Sequence, residues 1–119
     1  MNEHTRQLLD DAQNQNVAAI FNNLTHDDID INATCDDGKT MLHYAATSWQ
    51  ESIITKIVTK FNANINAQDR SGRTPLHYAA KSGRLLCIQT LLNDHGINVN
   101  IQDNNGKSVV HFAITNDRA

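Results

Sequence analysis

One eight-residue phrase recurs along the chain at a fixed interval: Gly38-Lys-Thr-Met-Leu-His-Tyr-Ala, Gly72-Arg-Thr-Pro-Leu-His-Tyr-Ala and Gly106-Lys-Ser-Val-Val-His-Phe-Ala, each 34 residues after the last. A constant offset that keeps Gly, Thr or Ser, His, an aromatic and Ala in register describes small units stacked in a line, each burying its apolar face against the next. Such a chain offers a long surface rather than a deep pocket. The frame extends past the phrase to Asn32, Asn66 and Asn100, to Ile20, Ile54 and Ile88, and to Leu24, Val58 and Leu92. Carried back one interval, His43 and Ala46 fall on Leu9 and Ala12, so a degenerate unit fills the first 37 residues. The 119 residues form one domain, 1–119, with units at about 1–37, 38–71, 72–105 and 106–119.

The period alone also fits a tetratricopeptide array, so the residues decide. Thr74-Pro75-Leu76-His77-Tyr78-Ala79-Ala80 carries the T-P-L-H-x-A pattern of ankyrin repeats, and the stretches from Thr40 to Ala46 and from Ser108 to Ala113 are relaxed copies. The tetratricopeptide Trp/Leu-Gly/Tyr pattern is missing. The chain resembles ankyrin-repeat proteins over nearly its whole length. That resemblance implies an all-α repeat solenoid of stacked helix-turn-helix units with projecting β-hairpin loops. The family unit is lengthened here by one residue, between Leu91-Leu92 and Gly96.

The motif residues have mechanical reasons to sit where they do. Thr74 suits a helix N-cap and Pro75 the first helical position. Ala79 and Ala80 keep one face small enough for a neighbouring helix to approach, and Gly83 suits a left-handed helix end. In the following helix Leu85, Ile88, Leu91 and Leu92 recur at helical spacing, as do Ile54, Ile57 and Val58 one unit earlier, and this stripe is expected to face the adjacent unit. Asn62 and Gly96 both tolerate positive φ past a helix end. The alternating stretch from Ile97 to Gly106 reads as a hairpin arm.

Composition narrows the function classes. The longest apolar runs are far short of the roughly 18 residues that span a bilayer, and the polar start Met1-Asn-Glu-His-Thr-Arg resembles no secretory signal. A net charge of −3 without a Lys/Arg cluster gives no electrostatic footprint for nucleic acid. Neither a membrane nor a nucleic-acid partner is expected. Cys35 and Cys87 occupy different slots of different units, which reads as free thiols in a reducing, cytoplasmic or otherwise intracellular compartment, with a secreted effector left open. Asparagine is abundant in the loop stretches around Asn64, Asn66, Asn98 and Asn100, where its local hydrogen bonds help. A compositionally biased genome explains the same enrichment.

Catalytic and metal readings fare poorly. Gly106-Lys107-Ser108 lacks the upstream glycine of a phosphate loop, since position 101 is Ile. Asp27, Asp28 and Asp30 lack the spacing, glycine and closing glutamate of an EF-hand. Pairing Cys87 with His95 is a combination that any chain of this size offers. His43, His77 and His111 must line up along the stack, but neighbours about 8–10 Å apart cannot share an ion that holds its ligands within about 2.1 Å. No enzyme activity, metal or cofactor is expected. What the resemblance implies for these histidines is a structural role, with Thr40, Thr74 and Ser108 as partners.

The resemblance also implies a partner-facing concave surface built from the loop tips and the exposed side of each first helix. It selects Asp36, Asp37 and Lys39 at one tip, Arg70, Ser71 and Arg73 at the next, and Asn104, Asn105 and Lys107 at the third. On the helices it selects Tyr44, Thr47 and Ser48, then Tyr78, Lys81 and Ser82, with Tyr44, Tyr78 and Phe112 as an aromatic ladder. Arg70, Arg73, Lys81 and Tyr78 are expected to form the strongest contact patch, facing an acidic partner. Trp49 stands where the third unit has Gly83, either exposed as a binding hot spot or folded back over the gap at Glu51. The expected function is a non-catalytic protein-interaction module; the alternative is the recognition or anchoring segment of a larger enzyme or secreted effector. The last unit shows no second helix, so Val110, Ala113, Ile114 and the side of the preceding helix bearing Leu91 are expected to lack their usual cover, and the edge to be frayed, covered by self-association or covered by further chain in a parent protein.

Overall fold

The computed structural model describes residues 2–48, 51–94 and 96–117. Among them run α1 (Glu3–Gln13), α2 (Val17–Asn23), α3 (Met41–Ser48), α4 (Glu51–Lys60), α5 (Pro75–Ser82), α6 (Leu85–Leu92) and α7 (Val109–Asp117). Helices α1, α3, α5 and α7 stack side by side in chain order, while α2, α4 and α6 pair with α1, α3 and α5 respectively, and α4 also packs on α6. The all-α repeat solenoid that the resemblance implies is therefore present. Trp49 and His95, with the roles weighed for them, lie outside the described residues.

Helices of eight residues are marginal by themselves in water, so each depends on its caps and its buried face. Thr74 accepts the His77 N–H and Pro75 opens α5, which ends at Gly83 with φ 69°. Leu76, Ala79 and Ala80 are buried on its inner side. Ala45 and Ala79, both fully buried, let the α3 and α5 backbones approach closely. Behind them Ile53, Ile54 and Ile57 of α4 are sealed from solvent. At the slot of Gly83 the first unit has Gln15, which takes φ 57°, and Asn62 adopts φ 54° past α4 as its side chain allows.

Three expectations change. The arms between units form tight loops, with no strand among the described residues. Each closes on a backbone bond across its base, where Cys35 N–H donates to the Lys39 carbonyl (2.9 Å), Asp69 to Arg73 (2.9 Å) and Asp103 to Lys107 (2.8 Å), and on a turn bond inside it, where the Gly38, Gly72 and Gly106 N–H groups donate to the Cys35, Asp69 and Asp103 carbonyls (2.9 Å each). Arms this short leave no ladder for a hairpin. On α6 the apolar stripe is only partly used: Cys87 and Leu91 are buried, but Leu85 and Leu92 remain 65% and 47% exposed. Leu91 is fully buried, in the same slot as the fully buried Ile57 of α4, so the uncovered side of α6 runs through Leu92 instead. Val110, Ala113 and Ile114 are exposed as expected.

Candidate interaction surface

The motif histidines act as clasps between units. Thr40 N–H donates to His43 Nδ1 (3.0 Å), the Thr40 hydroxyl meets the same nitrogen (3.0 Å), and His43 Nε2 reaches the Arg73 carbonyl of the next loop (2.9 Å). His77 repeats this with Thr74 N–H (3.0 Å), the Thr74 hydroxyl (2.8 Å) and the Lys107 carbonyl (3.0 Å). A carbonyl only accepts, and a backbone N–H only donates. The partners therefore fix a neutral ring with its proton on Nε2. Burial pushes the His43 pKa below its ordinary value, although the Arg73 carbonyl acts the other way. Ser108 N–H donates to His111 Nδ1 in the same manner (3.0 Å), but His111 is exposed where His43 and His77 are fully buried.

The loop tips are fastened by a second device. Asp69 Oδ1 accepts from the N–H groups of Ser71 (2.9 Å) and Arg73 (3.0 Å), and its other oxygen accepts the Tyr78 hydroxyl. Asp103 does the same for Asn105 and Lys107, both at 2.9 Å. Burial would raise the Asp103 pKa, but those N–H groups and the nearby Arg73 hold it below the usual carboxylate range. Cys35 occupies the corresponding slot of the first tip, and there Tyr44 contacts the thiol and Gln13 instead. The sequence frame carries that signal, since Cys35, Asp69 and Asp103 are one interval apart. Neighbouring tips are joined directly: Arg70 N–H donates to the Asp37 carbonyl (3.0 Å) and Asn104 N–H to that of Ser71 (2.9 Å). Gly72 permits this approach, because a Cβ there would lie 2.5 Å from Asn104 Oδ1 and 2.8 Å from its nitrogen.

Clasps and tips together order the aromatic ladder. Lys39 Nζ lies 5.7 Å from the Tyr44 ring and 5.0 Å from Tyr78. The Arg73 guanidinium stands 5.8 Å from Tyr78 and 5.1 Å from Phe112. Cations and rings thus alternate as Tyr44, Lys39, Tyr78, Arg73, Phe112, with His43 edge-on to Tyr78 and His77 edge-on to Phe112. Burial raises the pKa of both tyrosines, with Cys35 adding to the shift at Tyr44 and Asp69 at Tyr78, so both hydroxyls stay protonated.

The expected site residues separate into two groups. Asp36, Asp37, Arg70, Ser71, Lys81, Ser82, Asn104, Asn105 and Lys107 are exposed. Thr47 donates its hydroxyl to the Tyr44 carbonyl (2.7 Å), and Ser48 is the last residue of α3. Arg73 does not belong to an open positive patch: its side chain is 23% exposed, lies between two rings, and has Nε 3.6 Å from the buried Asp103 carboxylate. Lys39 is shared with Asp37 (3.7 Å). The asparagines, read from sequence as local loop residues, also join units: Asn32 Oδ1 accepts from Asn64 N–H and Asn66 Oδ1 from Asn98 N–H, both at 2.8 Å.

Among the described residues, one trio of side chains brings metal-type donors together: His4, His26 and Asp28, with donor atoms within 4.8 Å of one another. Neither Cys35 nor Cys87 forms a disulfide among the described residues, and burial raises the Cys87 thiol pKa, which suppresses its reactivity. No described helix is long and apolar enough to cross a membrane.

The chain belongs to the ankyrin-repeat family: the family model, described as ankyrin repeats and present in three copies, matches residues 8–103 and 49–119. No curated protein matches the chain. Ankyrin repeats generally mediate protein–protein interaction and are typically non-catalytic.

Proposed function

We propose that this ankyrin-repeat chain is a non-catalytic recognition module that holds a protein partner across its loop tips and the exposed sides of α3 and α5. The observation that carries the reading is the cation–aromatic ladder from Tyr44 to Phe112, held by buried clasps before any partner arrives. Pre-ordered tyrosines lose little entropy on binding and are enriched among interface hot spots, so Tyr44 and Tyr78 supply the contact while the internal Arg73 holds the rings in place. Arg70 and Lys81, which the family resemblance assigns to this face, are exposed, as are Asp36 and Asp37 at the preceding tip. A partner with an acidic stretch opposite Arg70 and Lys81 fits that arrangement. Cysteines left as unbridged thiols suit a reducing intracellular compartment. The same surface serves equally if the chain is the recognition segment of a larger protein.

Affinity capture from the native cell supplies the partner, and a photo-crosslinker then locates it. Placed at Tyr78 the probe is expected to trap the partner; placed at Thr90, on α6, it is not. Arg70→Glu with Lys81→Glu is expected to weaken binding at least about tenfold and to flatten its salt dependence, since exposed charges act over a Debye length of about 8 Å. Trapping from Thr90 alone, or unchanged affinity in the charge-reversed protein, contradicts the reading. A second reading, self-association, rests on Leu92, Val110 and Ile114, which are 47%, 61% and 53% exposed. Sedimentation at rising concentration tests it, and a monomer throughout removes it.

A further inference from the structure

The first unit carries a feature that recognition of a protein partner does not use. His4, in the first turn of α1, and His26 and Asp28, in the loop after α2, converge on one edge of the stack. His4 Nδ1 lies 2.8 and 3.0 Å from the two Asp28 carboxylate oxygens, and the His4 and His26 rings stack at 3.7 Å with an 8° tilt. Both ends of the cluster are anchored. Asn2 caps α1 by accepting the Thr5 N–H (2.8 Å) and also donates to the Asp28 carbonyl (2.5 Å). Buried Thr5 accepts the Asp30 N–H through its hydroxyl (3.0 Å). The backbone bearing Asp28 is thus fixed against the helix bearing His4.

We propose that His4, His26 and Asp28 bind one zinc-class divalent cation, which staples the loop of residues 24–30 to the start of α1. Two imidazoles and one carboxylate form a donor set suited to zinc, nickel or copper, and too poor in oxygen for calcium or magnesium. Ligands on a tetrahedral zinc ion at about 2.0–2.1 Å stand roughly 3.3–3.5 Å from one another. The His4–Asp28 pair must therefore open slightly and the His26 ring must turn out of the stack. Exposure of 45% at His4 and 56% at Asp28 leaves both side chains room to move. Three protein ligands leave one position for water. The ion stabilises the first unit by mass action, because the unfolded chain separates these residues in sequence.

The test uses the full chain without an affinity tag, titrated with zinc chloride by calorimetry and with cobalt(II) followed by its visible absorption. One ion per chain and a raised melting temperature are expected. His26→Gln and His4→Ala are each expected to weaken binding at least about tenfold, the upper scale of losing even a supporting contact being about a hundredfold. His111→Ala, at the opposite end of the stack, leaves affinity unchanged. Far-UV circular dichroism checks that each variant folds. Asp28→Asn, which keeps the side chain's shape and removes its charge, replaces any histidine variant that does not fold. Absence of saturable binding, or binding that survives in His26→Gln and Asp28→Asn at parent affinity, overturns the proposal.

Discussion

In the third unit, His77 caps its own helix and reaches forward to the Lys107 carbonyl, so one buried ring joins two loops. In the first unit Leu9 stands in that slot and makes no such bond. The join is made one turn earlier, where α1 extends back to Glu3 and Asn2 and Thr5 take the Asp28 carbonyl and the Asp30 N–H. Inside the unit Asp11 adds a tie of its own, accepting from Gln7 (3.1 Å) and from Asn23 on α2 (2.9 Å). The helix pair thus survives without the motif. What every join needs is a partner for the polar groups of the next loop, because a buried N–H or carbonyl left unpaired costs about 1–3 kcal/mol. The motif is one answer and the first unit is another. The second answer also gathers His4, His26 and Asp28.

The largest effect expected is at the loop glycines. Gly72→Ala combines a left-handed φ of 77°, a strain of about 1–3 kcal/mol, with overlap against Asn104. Gly106 has the same φ of 77° but nothing within 4 Å of an added Cβ, so Gly106→Ala should show the strain alone. Urea unfolding of the two variants measures the difference. Equal losses would mean that the contact between tips carries no energy.

Next come the joins themselves. His77→Ala is expected to cost about 1–3 kcal/mol through the groups it leaves unpaired, and Thr5→Val, which removes the acceptor for Asp30, a similar amount. A negligible cost for Thr5→Val would show that the first unit is held by its apolar core alone. Zinc-dependent stabilisation should persist in His77→Ala, since that ring has both nitrogens engaged in the clasp.

A smaller effect follows from pH. Burial depresses the His43 pKa below 6.5, so on acidification the unfolded chain takes up the proton first. The stability from the neutral clasp is complete above about pH 6.5 and is lost as the pH falls from there through the folded pKa. Asp103, also depressed, contributes the same sign of dependence below the carboxylate range. His43→Gln should flatten the upper part of the profile, and thermal melts across pH 4 to 8 would reveal it. Smallest of all, Arg70→Glu with Lys81→Glu should change stability by less than about 0.5 kcal/mol, which separates binding from folding at that face.

The solenoid and the clasp residues were legible because each rests on identities repeated in register: Thr74, Pro75, His77 and Gly83 all sit where their backbone chemistry places them. Arg73 was not legible as an internal cation. Its environment is set by Tyr78, Phe112 and Asp103, residues from two units that only stacking brings together. Cys35 in the aspartate slot was visible in the frame but had no meaning until Asp69 and Asp103 proved to fasten their loops. The His4, His26 and Asp28 cluster escaped for a different reason. The repeat frame cannot describe the one helix that begins outside it, and a separation of 22 residues between the two histidines matches no metal motif.

Native-state hydrogen exchange at the Asn104 amide tests most directly whether buried clasps hold one loop against the next. That amide donates to the Ser71 carbonyl across the junction that His77 spans, while the Arg70 amide donates to Asp37 across the junction that His43 spans. In His77→Ala the Asn104 amide is expected to lose about tenfold or more of its protection, equivalent to at least about 1.4 kcal/mol of local opening, with a smaller change at Arg70. Unchanged protection at Asn104 would contradict the account and leave His77 as a filler of space.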